Sequence, residues 1–310
     1  MKKGTVRLTL GPLLFNWPAS RWRDFYARVA DEAPLDRVVL GELVCAKRQP
    51  FHDALIPAAV DRLRRAGKEV VQTTLALVTL PRERKATAAL AAGKIPVEVN
   101  DLTMLRHLTE KRPFTVGPLV NVYNESTIAY LVNKGAMGVC LPPELDLASI
   151  GILSAAGRRL GIETEVWAFG RVPLAISGRC YHARLAGLSK DSCRFVCDRD
   201  PDGLPVETVE GQPFLAINGV QTLSATICNL VGDLQALVGS GVGRLRLSPH
   251  SCDMVAVASV FREATDGRIA PEEALARIAT IMPDSRFSNG FAFGEVGAAW
   301  THGQVSSQLT

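Results

Sequence analysis

The sequence predicts an α/β protein of the (β/α)8 TIM-type barrel class, with a long cysteine-bearing insertion between the seventh and eighth strands. Three observations predict it. Eight short β-branched runs alternate with amphipathic stretches from one end of the chain to the other. The length of 310 residues fits either two ordinary domains or one barrel. One gap alone, about seventy residues between the seventh and eighth strands, is several-fold longer than a helix and two loops require.

The strand-like runs are 6–10, 37–40, 70–75, 97–99, 115–116, 138–141, 164–169 and 244–247. In the first gap Ser20 is expected to cap a helix in which Trp22, Phe25, Tyr26 and Val29 share one face. Further helical patterns cover 53–66 with Gly67 as a stop, 101–111, 124–134 with Asn124 as cap and Gly135 after it, and 146–160 before Gly161. After the eighth strand, helices are expected over 253–264 and 271–281. The connections are short, so a parallel barrel with right-handed crossovers is the simplest closed arrangement. The glycine run 239–243 resembles a dinucleotide loop but precedes a strand, and is expected to be the turn after a helix. The division expected is one barrel over 1–310, an insertion over 171–222, and a C-terminal extension over 284–310. The extension carries Phe287, Phe291, Phe293 and Trp300, folds back on the barrel and ends in a polar frayed tip.

Composition narrows the class. A hydrophobic share of 47% with 21% charged residues is ordinary for a soluble globular protein. The 35 basic and 31 acidic side chains are dispersed, so nothing in the charge pattern argues for nucleic-acid binding. Lys2 and Lys3 could open a signal peptide, but Arg7 interrupts the apolar stretch that follows. No run approaches the roughly 18 apolar residues of a membrane span. A cytoplasmic protein is expected, and seven cysteines there point to ligation, chemistry or burial rather than a disulfide framework.

Four cysteines stand out. Cys180, Cys193 and Cys197 crowd into the insertion, while Cys45 follows the second strand. Both Cys45 and Cys180 are expected at the C-terminal mouth of the barrel, and the insertion has to reach across it for the four thiols to meet. Cys193 and Cys197, four apart, would share one face of a helical turn. Four thiolates suit a structural zinc ion or an iron-sulfur cluster. Zinc draws its ligands in close pairs, so dispersed donors fit a cubane better. Arg179, Arg184, Lys190, Arg194 and Arg199 would offset the negative charge and favour ionised thiols. Cys140, in the sixth strand, Cys228, in a helical pattern, and Cys252, at a helix start, read as buried packing residues.

Other chemistry lacks its residues. No HExxH or GxSxG occurs, and Cys197 is followed by Asp198, Arg199 and Asp200, which excludes the radical-SAM triplet. Polar residues expected at strand ends are Glu42, Asn100, Asp101, Asn121, Asn124, Glu144 and His250. Asp101 and Asn124 serve better as helix caps. Glu42 and His250 are the candidate catalytic or proton-handling groups.

The segments Gly117-Pro118-Leu119-Val120-Asn121-Val122-Tyr123-Asn124-Glu125 and Gly138-Val139-Cys140-Leu141-Pro142-Pro143-Glu144-Leu145 resemble the collagenase-like peptidase superfamily, peptidase family U32. The arrangement of Cys45, Cys180, Cys193 and Cys197 is similar to that of its ubiquinone-biosynthesis branch. That resemblance implies a [4Fe-4S] cluster held by those four residues in one subunit of an oxygen-independent hydroxylase acting on the aromatic ring of ubiquinone precursors. It also implies a paralogous partner in a heterodimer, a lipid-binding accessory protein, and prephenate as hydroxyl donor. Most of the superfamily carries all four ligands late in the chain, so catalytic residues of RNA-hydroxylating relatives do not transfer. An RNA-modifying hydroxylase and a zinc-stapled scaffold without catalysis are the alternatives, and no protease machinery is present.

Overall fold

The computed structural model describes residues 6–108 and 112–301. Eight parallel strands close into a barrel: β1 (Arg7–Leu10), β2 (Arg37–Leu40), β3 (Glu69–Thr73), β4 (Val97–Val99), β5 (Phe114–Val116), β6 (Ala136–Cys140), β7 (Glu163–Ile176) and the last barrel strand, Arg244–Leu247. That last strand pairs in parallel with both β7 and β1, which completes the ring. All eight strands expected from the sequence are present.

Helices α1 (Ala19–Glu32), α2 (Ile56–Arg65), α3 (Pro81–Ala92), α4 (Glu125–Asn133) and α5 (Leu147–Arg159) fill most of the gaps. Trp22, Tyr26 and Val29 bury the inner face of α1. Its start differs from expectation, because Ser20 lies inside the helix. Pro18 occupies the cap position, and its carbonyl accepts the Trp22 N–H at 2.9 Å. Asn124 caps α4 through its side chain as expected, and Asp146, taken from the sequence as the first residue of its helix, caps α5 in the same way. Asp101 also caps, but only a 3-10 turn over Leu102–Arg106 follows it in place of a full helix, and 109–111 lie outside the described residues.

The long gap holds further elements. β7 runs on past the barrel rim for 14 residues in all. It is followed by α6 (Tyr181–Leu185), a 3-10 turn (Val196–Arg199), and the antiparallel strands β8 (Leu204–Glu207), β9 (Pro213–Asn218) and β10 (Gln221–Asn229). β10 returns alongside β7, pairing Gln221 with Ile176 at one end and Asn229 with Phe169 at the other. Cys228 therefore sits in a strand, not a helix, because its neighbours alternate across a two-sided sheet. Next come α7 (Leu234–Gly239), the barrel strand β11 (Arg244–Leu247), α8 (Met254–Thr265), capped by Asp253, and α9 (Pro271–Ile281). The glycine run 239–243 is the turn between α7 and β11. In the extension, β12 (Phe287–Ser288) pairs with β10, and Phe287 packs against Trp300. The polar tip, 302–310, lies outside the described residues.

The lumen of the barrel is charged. Strands β1, β4, β7 and β11 alternate, turning apolar residues such as Leu245 and Leu247 towards the helices and Thr9, Glu98, Glu165 and Arg246 inward. The Arg246 guanidinium donates to both Glu98 and Glu165, while Thr9 Oγ1 donates to Glu165 at 3.1 Å and Asn100 Nδ2 to Glu98 at 3.1 Å. Burial pushes the Glu165 carboxyl up, but Arg246 and Arg37 outweigh it and hold the group below its ordinary value. Near the strand starts, Arg244 joins Glu69 and Glu163, and Arg37 joins Glu69.

Removing one partner from such a set leaves a buried charge bare, which costs about 3–5 kcal/mol. Arg246→Met is expected to lower the unfolding free energy by that amount, read from urea titration. Adding Glu98→Gln and Glu165→Gln should restore most of the loss. An Arg246→Met protein of unchanged stability would show that these ions do not act as one unit.

Candidate functional site

The four cysteines lie where the insertion crosses the loops that follow β1 and β2. Cys45 sits in extended conformation ahead of a 3-10 turn, Ala46–Phe51. Glu42 shapes this loop: its Oε1 accepts the amides of Val44 at 2.7 Å and Cys45 at 2.9 Å. Burial raises the Glu42 pKa, with Arg48 opposing. Together with Phe15, Trp22, His52 and Asp53, Glu42 lines a cavity of ≈ 10 Å³, space for about one water.

The other three thiols are carried by the insertion. Cys180 caps α6, Cys193 sits in a turn, and Cys197 falls within the 3-10 turn Val196–Arg199. The expected helical turn joining Cys193 and Cys197 is absent, because Arg194 and Phe195 between them both adopt left-handed backbone, φ 48° and 54°. The segment doubles back instead. Cys180, Cys193 and Cys197 are buried and Cys45 is half-buried, and all are free thiols. Burial pushes the Cys180 thiol up, and the neighbouring Cys197 and Cys193 push the same way while Arg48 opposes. Burial also raises Cys45, again against Arg48.

Direct contacts tie the two halves together. Lys47 Nζ donates to the carbonyls of Lys190 at 2.8 Å and Asp191 at 2.9 Å. The Phe51 ring meets that of Phe195 edge to face, with centroids 4.7 Å apart. From the loop after β1, Asn16 Nδ2 points at Cys197 Sγ at 3.6 Å and Trp17 Nε1 donates to the Pro201 carbonyl at 2.8 Å. Among the described residues, no three His, Cys, Asp or Glu side chains are placed as a group that could hold a metal ion.

The donor chemistry nevertheless suits a thiolate-ligated cluster, and Arg48 adds an independent observation. Its side chain is 1% exposed, yet Nε has no hydrogen-bond partner. The expected cations behave otherwise: Arg179, Arg184, Arg194 and Arg199 are exposed and Lys190 is half-buried. Arg48 was missed because a single arginine in a loop carries no sequence signal of burial. Asn218-Gly219, a turn dipeptide, was the available clue to its cradle.

His250 is fully engaged. Its Nε2 accepts the Arg171 backbone N–H at 3.0 Å, so the ring proton lies on Nδ1, which faces Asp202 Oδ1 at 3.3 Å. Asp202 also accepts the Ser251 amide at 2.8 Å and the Ser251 hydroxyl. The ring thus clamps the insertion to the end of β11. His182, not singled out in the sequence, does similar work: Nδ1 accepts the Gly219 N–H at 2.8 Å and Nε2 reaches Asp200 at 3.0 Å.

Across the mouth, Asn100 donates to Thr73 Oγ1 at 3.0 Å as well as to Glu98, and a Cβ at Gly117 would overlap its side chain. Asp101 accepts the Val78 amide at 2.7 Å beyond its capping bond. Exposed Tyr123 donates to Glu144, and burial followed by that carboxylate pushes the phenol up to about 12. Asn121 is exposed and Asn124 is spent on its cap. None of these reaches the cysteines.

With this geometry in place, comparison with known proteins is decisive at the family level. Residues 21–302 match the family model for Peptidase family U32. The chain belongs to that family. Solved structures with some similarity include a GH138 enzyme targeting pectin rhamnogalacturonan II, at 9% identity over 79% of this chain and 34% of that one, TM-score 0.36. A chain of the tryptophan synthase complex from Pyrococcus furiosus matches at 14% identity over 87% of this chain and 99% of that one, TM-score 0.37. An enolase, a putative galactarate dehydratase from Agrobacterium radiobacter, matches at 13% identity over 76% and 66%, TM-score 0.35. The U32 chain has no helix, among the described residues, long and apolar enough to cross a membrane.

A pH signature follows for this U32 protein. Burial raises the Asp202 carboxyl, but bonds from His250 and Ser251 outweigh it and hold the group at about 2. A carboxyl depressed on folding stabilises the fold above its unfolded value, near 3.9, and loses that contribution as pH falls towards 2. The difference in unfolding free energy between wild type and Asp202→Asn should be constant above about pH 5 and shrink between roughly pH 4 and 2. Denaturant titrations across that range measure it; a pH-independent difference would contradict the assignment.

Proposed function

We propose that this chain is the iron-sulfur subunit, of UbiV type, of an oxygen-independent hydroxylase that modifies the aromatic ring of ubiquinone precursors. In this reading it works in the cytoplasm as a heterodimer with its paralogue UbiU, without stable membrane insertion. A lipid-binding accessory protein is a further partner, and prephenate supplies the hydroxyl group. The observation that carries the reading is the clasp between the loop of Cys45 and the insertion holding Cys180, Cys193 and Cys197, made by Lys47 and by Phe51 on Phe195. Membership of Peptidase family U32 and the one-early, three-late order of the cysteines support it.

Cys45, Cys180, Cys193 and Cys197 would hold a [4Fe-4S] cluster. When bound, it supplies electron transfer or substrate activation. A cubane takes one thiolate at each of four irons, so its donors surround a volume and need not meet at a point as those of a single zinc do. The protein's own contributions are local. Glu42 fixes the backbone that presents Cys45, Asn16 directs an N–H at Cys197, and the buried setting keeps bulk water from the sulfurs.

The test is anaerobic reconstitution with iron and sulfide. The expected product is brown, is bleached by dithionite, and contains four irons per chain by the stoichiometry of a cubane. Each single Cys→Ser change at the four positions should lose most of the iron, whereas Cys140→Ser, Cys228→Ser and Cys252→Ser should keep it. Deleting the gene should abolish ubiquinone in anaerobic cells and leave aerobic cells unaffected. Stoichiometric zinc that survives air would favour a scaffold, and unchanged quinone with altered RNA hydroxylation would favour an RNA-modifying enzyme.

A further inference from the structure

Three arginines are buried among the described residues: Arg48, Arg244 and Arg246. Two have carboxylate partners, Arg244 with Glu69 and Glu163, and Arg246 with Glu98 and Glu165. Arg48 has none within ion-pair distance among the described residues. Its Nη1 donates to the Leu14 carbonyl at 2.8 Å and its Nη2 to Asn218 Oδ1 at 2.9 Å, both neutral acceptors, and Nε is left over.

Much of this neighbourhood serves to hold that one side chain. Asn218 Nδ2 donates to the same Leu14 carbonyl at 2.7 Å and to Gln221 Oε1 at 3.2 Å, which fixes the amide with its oxygen towards Arg48. Gly219, at the tip between β9 and β10, has φ +64°, and a Cβ there would lie 2.8 Å from Arg48 Nη2. The cradle therefore needs glycine twice over, for its backbone and for its space. Guanidinium does not lose its proton in proteins, so a buried arginine cannot escape its desolvation cost by neutralising itself. The acidic groups that act on it are the Glu42 carboxyl, already bonded to two amides, and the thiols of Cys197 and Cys45.

We propose that Arg48 is the built-in countercharge of the cysteine site, a positioning residue whose fixed positive charge balances the thiolate-bound cluster and favours its reduced state. This rests on the reading of the site given above. One-electron reduction by an external reductant adds a negative charge beside a positive one that cannot move away or titrate. The reduced form gains more from Arg48 than the oxidised form does, so the potential is higher than it would be without the cation.

The experiment uses the full chain, reconstituted anaerobically, with Arg48→Gln and Arg48→Lys. Redox titration with dithionite, iron content, and thermal melting of the metal-free protein are read together. Arg48→Gln should shift the ratio of reduced to oxidised cluster at a given poise at least tenfold towards oxidised, a fall of about 59 mV for one electron, with Arg48→Lys between it and wild type. The metal-free Arg48→Gln chain should melt close to metal-free wild type, because Arg48 makes no ion pair among the described residues and Glu42, the carboxylate nearest in effect, is already held by two backbone amides. If Arg48→Gln takes up no iron, restoration by Arg48→Lys supports the proposal and failure of both variants overturns it. An unchanged potential in Arg48→Gln overturns it too, as does a metal-free variant that melts well below wild type, the mark of a plain structural brace. Wild type that takes up no iron instead removes the reading of the site, and the role of Arg48 with it.

Discussion

The pairing of β10 with the part of β7 that overruns the barrel rim is the constraint on which the rest of the molecule depends. A barrel strand normally ends where its helix begins, but β7 continues as one edge of an antiparallel sheet, so the inserted residues leave the barrel on a rigid support. β9 and β8 extend that sheet, placing Asn218 and Gly219 against the loop after β1. The insertion is thereby docked over the ends of β1 and β2, which are separated from β7 in the ring by β11. Lys47, Trp17 and His250 then fasten it at three separate places.

The charged lumen and the cysteine site solve the same electrostatic problem in different ways. In the lumen each buried guanidinium has carboxylates of its own, so the charges cancel within the fold. At the mouth, Arg48 bonds to carbonyl and amide oxygens and makes no ion pair among the described residues, although Glu42 and the thiols of Cys197 and Cys45 act on it. Cancellation inside a barrel supports architecture. A guanidinium without an ion pair at the edge of a thiol-rich pocket leaves that pocket suited to something negative.

How much of this was legible in the sequence depended on how local each signal was. Strand alternation and glycine stops are local, and all eight barrel strands were readable, as was the cap Asn124. α3 was not named: its alanine-rich face gives weak periodicity, although Pro81 at its start and Glu83, which accepts the Thr79 and Leu80 amides, were usable signs. Ser20 misled because Pro18, two residues upstream, set the helix entry instead. At the site, the cysteines were visible as residue types, while Arg48, Asn16 and Asn218 were not. Their roles arise from contacts across 170 or more positions of chain for the Asn16–Cys197 and Arg48–Asn218 pairs, and no window along the sequence contains them.

The consecutive left-handed residues Arg194 and Phe195 tie the shape of the insertion to the loop beyond β2. Each non-glycine residue in that conformation costs roughly 1–2 kcal/mol, so the isolated segment would not choose this shape. The Phe195 ring is held by Phe51 and lies under the Lys47 ammonium, both on the loop beyond β2. The doubled-back segment thus draws on contacts that the loop beyond β2 supplies. The shape of 194–198 therefore belongs to the docked insertion and not to that stretch of chain by itself.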